Sequence, residues 1–450
     1  MATIAERYAE FICGLSFADL PDEVVGRAKT SLLDLLGVML AGSDMPFPKA
    51  ARHYLAGLEG KPQATMIRTG GRRFPAAAAA LANGICSHAL DMDDGHRYGA
   101  VHPGTAVIPA ALAAAETCDA DGGRLIAGVV AGFEVTIRIA RAINPSHLSR
   151  GFHTTGTVGT FGAAAAAGSV LGLSFEQMTH ALGLAGLQSA GLLEVLHDGS
   201  MAKPLHPGHA GAAGIVAAEL AARGVEGPRT VLEGPKGFLR AMADSVDRDR
   251  LTRGLGATWE ILQTYIKLHA ACRHVHPSID CALHLRAEGV APAQIKGVRV
   301  RTYPVAVEFC GHTVQPASVS AAKFSLPFGV AVAFCKGDAF TDTFSEAAIK
   351  DQEIQDLAAK VRVEAGEDWA RAYPGIRGAE LVVTLADGRD YRRKVDLPHG
   401  EPEDPAGLEE IQRKFLANAC LAIPASQAEA IMDRVLHMEG TPPSELMQML

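Results

Sequence analysis

From the start of the chain to residue 265, apolar positions recur with a helical period. Leu32, Leu33, Leu35, Leu36, Val38, Met39 and Leu40 leave no polar face, which predicts an interior helix. Pro21, followed by Asp22 and Glu23, suits its start, and Gly42 its end. Pro75 opens a second run over 76–90, and further helices are predicted over 106–117, 125–143, 157–171, 175–187 and 210–222, separated by Gly, Asn-Pro or Ser breaks. Near residue 295 the period changes from helical to alternating. Val298, Val300 and Thr302 alternate with Arg299, Arg301 and Tyr303, as in a half-buried strand, and Val361 and Val363 repeat the pattern. Residues 380–385 and 391–395 flank Asp387-Gly388, a hairpin signal, with helices expected over 328–335 and 354–360. After the Pro-rich stretch 398–405 the pattern is helical again.

These periods predict a mainly α protein with an α+β second domain. A large helical domain spans 1–265, an α/β lid domain spans 266–397, and C-terminal helices over 398–450 rejoin the first domain, since they are too short for a core of their own. Hydrophobic residues make up 48% of the chain and charged residues 20%, so a packed core is expected rather than disorder. The net charge of −8, with no basic stripe, argues against a nucleic-acid partner. The Ala/Gly-rich run 161–173 is too short for a membrane span. No signal-peptide pattern is visible, and the eight cysteines form no CxxC pair, so a cytoplasmic protein with reduced thiols is expected. Walker A, GxSxG and kinase patterns are absent from the sequence.

Four polar blocks interrupt the apolar pattern. Asp91-Met92-Asp93-Asp94-Gly95-His96, with His102-Pro103-Gly104-Thr105 after it, lies between two apolar helices; a capping loop is the alternative to a functional one. His153 stands before the Ala-rich 157–171 helix, whose N-terminal amides suit an anion. Lys203 precedes Pro204, held extended, where it can pair with a carboxylate or act as a base. Cys272-Arg273-His274-Val275-His276 lies at the predicted join of the two domains, and Arg273 offers a bidentate fork for a carboxylate. Cys272, His274 and His276 alternate in a spacing that zinc sites do not use, so no metal is expected.

Together these blocks resemble the MmgE/PrpD family, the superfamily of 2-methylcitrate dehydratase, cis-aconitate decarboxylase and iminodisuccinate epimerase. The resemblance runs through Ser31 to Gly37, Ala82-Asn83-Gly84, His88 to Asp94, His102-Pro103, Gly151-Phe152-His153, Lys203 to His206, His276 to Asp280, Ala322 to Leu326 and Lys414-Phe415. It implies a homodimer of two-domain chains, a small polycarboxylate substrate, and a site without metal or organic cofactor. It puts catalytic residues at Asp91, His102, His153, Lys203 and His276. The lid tyrosine of the decarboxylase branch has no match; Cys310 stands there, and a threonine of the Asp-rich loop gives way near Gly95.

The chemistry expected is formation or protonation of a carbanion next to a carboxylate, which needs a base and cations for the developing enolate. His102 is the first choice for base or acid, with His153 as partner and Asp91 orienting a histidine. Arg273, His274 and Cys310 are expected to bind substrate, with Lys203 and His276 holding carboxylates. Loss of water is the leading reaction. Epimerisation, decarboxylation of the cis-aconitate type and non-catalytic carboxylate binding are the alternatives. Asp91, His102, His153, Lys203, Arg273 and His276 are expected to meet in one pocket at the domain join.

Overall fold

A computed structural model describes residues 2–197 and 200–450. The chain is mainly α-helical with one small mixed sheet, and it divides into two compact units. The first comprises Met1–Ala89, Asp93–Tyr265 and Leu408–Leu450; the second comprises Leu90–Met92 and Ile266–Gly407.

In the first unit the apolar runs become helices that pack on all sides. The helix Asp22–Gly42 begins just after Pro21, and every residue from 31 to 40 is buried. The helices Ala76–His88, Gly104–Thr117, Gly122–Ile143, Thr154–Leu171 and Leu205–Ala222 are rich in buried Ala and Gly. Thr154–Leu171 lies at their centre, in contact with Gly104–Thr117, Gly122–Ile143 and Leu205–Ala222. Small residues set the distances: a Cβ placed on Gly84 would sit 2.7 Å from the Gly208 Cα, and one on Gly214 would sit 2.5 Å from the Ala163 Cβ. The helix Leu408–Ala419 packs on Asp22–Gly42, where Lys414 Nζ lies 2.5 Å from Asp34 Oδ1, both side chains buried. That buried pair ties the two distant stretches of sequence together.

The first unit also carries a two-residue ladder, β1 (Ala64–Thr65) and β2 (Arg73–Phe74). The second unit holds a four-stranded sheet of β3 (Ile295–Thr302), β4 (Val361–Ala365), β5 (Ala379–Leu385) and β6 (Asp390–Val395), in the order β4-β3-β5-β6. β3 pairs parallel with β4, with Val298 opposite Val361, and antiparallel with β5, with Val298 opposite Val383. The parallel pair requires a long crossover, which carries the helix Leu326–Lys336. Asp387-Gly388 makes the β5–β6 turn, with Gly388 at φ +87°. The helix His276–Ala287 covers β5 and β6 and packs on Leu326–Lys336. Among the described residues no helix is long and apolar enough to cross a membrane.

The Gly84–Gly208 approach yields a stability prediction. Gly84→Ala forces backbone against backbone and should cost about 1–3 kcal/mol. Gly26→Ala, on an exposed helical position with open space around it, should stabilise by about 0.5–1 kcal/mol. Thermal melts of the two variants should therefore move in opposite directions; a Gly84→Ala melt equal to wild type would show that the helices separate freely.

Candidate active site

In the first unit, four histidines gather at the ends of four helices. His88 lies at the C-terminal end of Ala76–His88, His102 just before Gly104–Thr117, His153 at the N-cap of Thr154–Leu171, and His206 in the first turn of Leu205–Ala222. The His88 ring centroid lies 4.9 Å from that of His102 and 5.9 Å from that of His153, and His153 lies 5.0 Å from His206. Three helix N-termini thus point their positive ends toward the cluster.

Asp93 organises two of the rings. Its Oδ1 lies 2.9 Å from His88 Nδ1 and its Oδ2 lies 2.9 Å from His102 Nδ1. Burial works to raise the Asp93 carboxyl, but the two imidazoles outweigh it and hold it well below the usual carboxylate range. The carboxylate is therefore an anion that accepts. His102 Nδ1 also lies 2.7 Å from the Asp94 carbonyl oxygen. Both neighbours of Nδ1 are acceptors, so Nδ1 carries the proton and Nε2 is left with its lone pair. The His102 amide donates to Thr155 Oγ1 at 3.2 Å, which holds the residue against the neighbouring helix.

The other rings are neutral at ordinary pH. Burial, opposed by Asp93, pushes His88 down to about 4, and its Nε2 is buried without a hydrogen-bond partner among the described residues. His153 is held well below its ordinary value by burial and then by the charge of Lys203. His206, whose Nδ1 lies 2.8 Å from His153 Nδ1, is lowered by the same two causes. Lys203 thus acts electrostatically on three of the four rings. Asp94 is the opposite case to Asp93: burial and then the Asp93 charge push its carboxyl well above the usual range, and it accepts from the Gly104 amide at 3.2 Å. Two adjacent aspartates are therefore pushed in opposite directions.

Gly95 explains the missing loop threonine. Its amide donates to the Tyr265 carbonyl at 3.1 Å, and a Cβ there would sit 2.3 Å from the Tyr265 hydroxyl. Only glycine fits beside that ring.

The second unit holds the remaining expected residues. Asp91, at φ +53°, keeps its Oδ2 3.2 Å from Lys267 Nζ, which also donates to the Asp91 carbonyl at 2.7 Å. His274 is half-buried, with Nδ1 2.6 Å from the Tyr303 hydroxyl. Cys310, buried at the end of the helix Pro304–Cys310, lies beside Cys272; that contact and burial hold the Cys310 thiol well above its ordinary value.

Arg273 and His276 make contacts within the second unit. Arg273 is 4% exposed. Its Nε and Nη2 donate to Glu401 Oε1 at 3.1 and 3.0 Å, Nη2 to the Pro398 carbonyl at 3.2 Å, and Nη1 to His276 Nδ1 at 3.1 Å. His276 is fully buried, and its Nε2 donates to the Ala271 carbonyl at 3.0 Å. The guanidinium fork expected to grip a substrate instead braces residues 398–401, and both nitrogens of the His276 ring are occupied. Asp280, four residues after His276, accepts from His269 Nε2 at 2.7 Å.

His88, Asp93, His206 and Tyr303 are the participants that sequence reasoning passed over. Asp93 stood in the Asp-rich block, but nothing in the sequence says which of three aspartates faces two histidines. His206 lies in the same short block as Lys203, and one helical turn would have placed the two together.

This two-unit chain belongs to the MmgE/PrpD family: the MmgE/PrpD N-terminal domain matches residues 6–250 and the MmgE/PrpD C-terminal domain residues 269–438. Among its relatives, a cis-aconitate decarboxylase from Aspergillus terreus is 28% identical, over 99% of this chain and 96% of its own. The Homo sapiens cis-aconitate decarboxylase is 28% identical over 98% of this chain and 92% of its own, and that of Mus musculus is 26% identical over 98% and 91%.

Two predictions follow from these contacts. Arg273→Ala leaves Glu401 buried without its fork and should cost about 3–5 kcal/mol, read by denaturant unfolding. A variant of wild-type stability with only a raised KM would return Arg273 to the substrate. The second concerns pH. The folded protein keeps His88 neutral down to about 4, whereas the unfolded chain protonates it near its ordinary value of 6.5. Its contribution is therefore complete above pH 6.5 and falls as pH drops toward 4. The stability difference between wild type and His88→Gln should shrink through that window and stay flat above it; a difference flat from pH 4 to 7 would contradict the assignment.

Proposed function

We propose that the protein is a lyase acting on a small di- or tricarboxylate through a carbanion next to a carboxylate. The observation that carries this reading is the Asp93–His102 pair, which leaves His102 Nε2 as a bare base. His102 Nε2 takes the proton from the carbon beside the carboxylate. Asp93 stabilises the imidazolium that results, and Lys203 with the helix N-termini stabilises the enolate. The proton taken up by His102 then goes to the departing hydroxide, so that water leaves, with His153, neutral beside Lys203, as its hydrogen-bonding partner. Binding alone needs cations and no bare imidazole nitrogen, which argues against a purely non-catalytic role.

Decarboxylation is the second reading, favoured by the relatives named above. Loss of carbon dioxide also leaves a carbanion, and a proton taken from water through His102 Nε2 completes the product. Asp91, held by Lys267, stays in the proposed catalytic set; the histidine-orienting role passes to Asp93. No metal or organic cofactor is part of either route. A homodimer is the proposed assembly: Leu187, Leu192, Met201 and Leu205 are 68, 61, 62 and 44% exposed around the segment whose Gly191 carbonyl accepts from the His153 amide.

The test is a panel of hydroxy- and amino-di- and tricarboxylates plus cis-aconitate in deuterated water, followed by NMR. Release of water, release of carbon dioxide and deuterium uptake alone separate dehydration, decarboxylation and epimerisation. On whichever substrate turns over, His102→Ala should lower kcat by roughly 10²–10⁴-fold with the fold intact. Unchanged turnover in that variant, or tight binding across the panel without any reaction, would overturn the reading.

A further inference from the structure

The hydrogen bond between His274 and Tyr303 has a direction that the surroundings determine. Tyr303 is fully buried, and among the described residues His274 Nδ1 is its hydroxyl's one hydrogen-bond partner. Burial pushes the phenol well above its ordinary value, so it keeps its hydrogen. If Nδ1–H donated to the phenol oxygen, the hydroxyl hydrogen would be buried without an acceptor, at a cost of about 1–3 kcal/mol. The hydroxyl therefore donates to Nδ1, and a neutral imidazole with an acceptor at Nδ1 must carry its hydrogen on Nε2. The ring is neutral: burial, then the charges of Arg377 and Lys267, push it down to about 3.

The aromatic packing fixes both partners. The Tyr303 ring stacks on Tyr373 at 5.0 Å, Arg377 lies over Tyr373 at 5.5 Å, and Phe309 stacks on His274 at 6.2 Å. His274 Nε2 has no hydrogen-bond partner among the described residues, and the ring is half-buried rather than closed off. Arg377 and Lys267 make the surroundings positive, offset by the Asp91 carboxylate that Lys267 holds. A directed N–H donor in a net positive, aromatic-walled setting suits an anionic oxygen acceptor.

We propose that Tyr303 is a positioning residue that locks His274 in its Nε2–H form, and that His274 uses this hydrogen to bind a carboxylate oxygen of the substrate. This rests on the carboxylate reading above and adds Tyr303, the phenol that orients the substrate-binding histidine of the second unit.

The experiment uses full-length protein labelled with ¹⁵N-histidine, with tricarballylate as an unreactive tricarboxylate probe. In wild type, long-range ¹H–¹⁵N spectra should show His274 protonated at Nε2 and bare at Nδ1, and tricarballylate should shift the Nε2 signal. Tyr303→Phe, which preserves the ring packing, should mix the two tautomers and weaken tricarballylate binding roughly ten-fold at unchanged melting temperature. His274→Gln, whose amide nitrogen reaches the Nε2 position, should keep most of the affinity that His274→Ala loses. An Nδ1–H form in wild type, an unchanged tautomer in Tyr303→Phe, or equal losses in His274→Gln and His274→Ala would overturn the proposal. If tricarballylate moves the His102 and His153 signals but not that of His274, the inference fails while the carboxylate reading stands. If it moves none of them, both fail.

Discussion

The close approach of helices that carry almost no side chain is the constraint on which the first unit depends. Gly84 against Gly208 and Gly214 against Ala163 let helix backbones come nearly into contact. Dispersion between closely spaced backbones then replaces the interdigitation of large side chains. The same closeness sets the site. Helices this near bring the end of Ala76–His88 and the starts of Gly104–Thr117, Thr154–Leu171 and Leu205–Ala222 within one imidazole width of each other. Bulkier residues at those crossings would spread the four ring-bearing ends apart.

Within that tight space, charge is limited by burial. Asp93 is held well below the usual carboxylate range by the His88 and His102 imidazoles, against its burial, while its neighbour Asp94 is pushed well above that range. His88 and His153 remain neutral because burial and Lys203 oppose a further positive charge. A bare His102 nitrogen therefore comes from the acceptors on its other nitrogen, Asp93 and the Asp94 carbonyl, and not from sequence spacing.

The second unit uses its polar residues differently. Arg273, Glu401 and His276 form an internal brace, so that the segment 398–401 is held to the turn that starts the His276–Ala287 helix. His274, two residues away, keeps one nitrogen for Tyr303 and the other unpartnered. Neighbouring positions in one short block thus divide between holding the backbone and presenting a donor.

The fold was largely legible along the chain. The helical periods, the change near 295, and the Asp387-Gly388 turn each depend on neighbours within a few residues, and the elements appear within a few residues of where those signals fall. The polar blocks that form the histidine cluster were legible too, because Asp, His and Lys interrupting an apolar pattern is itself a local event. Their division of labour was not. Arg273 and His274 are adjacent, yet which of them meets a carboxylate and which a phenol depends on partners such as Glu401 and Tyr303. By itself the sequence determined the elements and the families of residue that could act, since these follow from short-range periodicity and composition. Only the tertiary structure decided which nitrogen of His102 and of His274 carries a proton, since a tautomer is set by the acceptor or donor that folding brings to the other side of the ring.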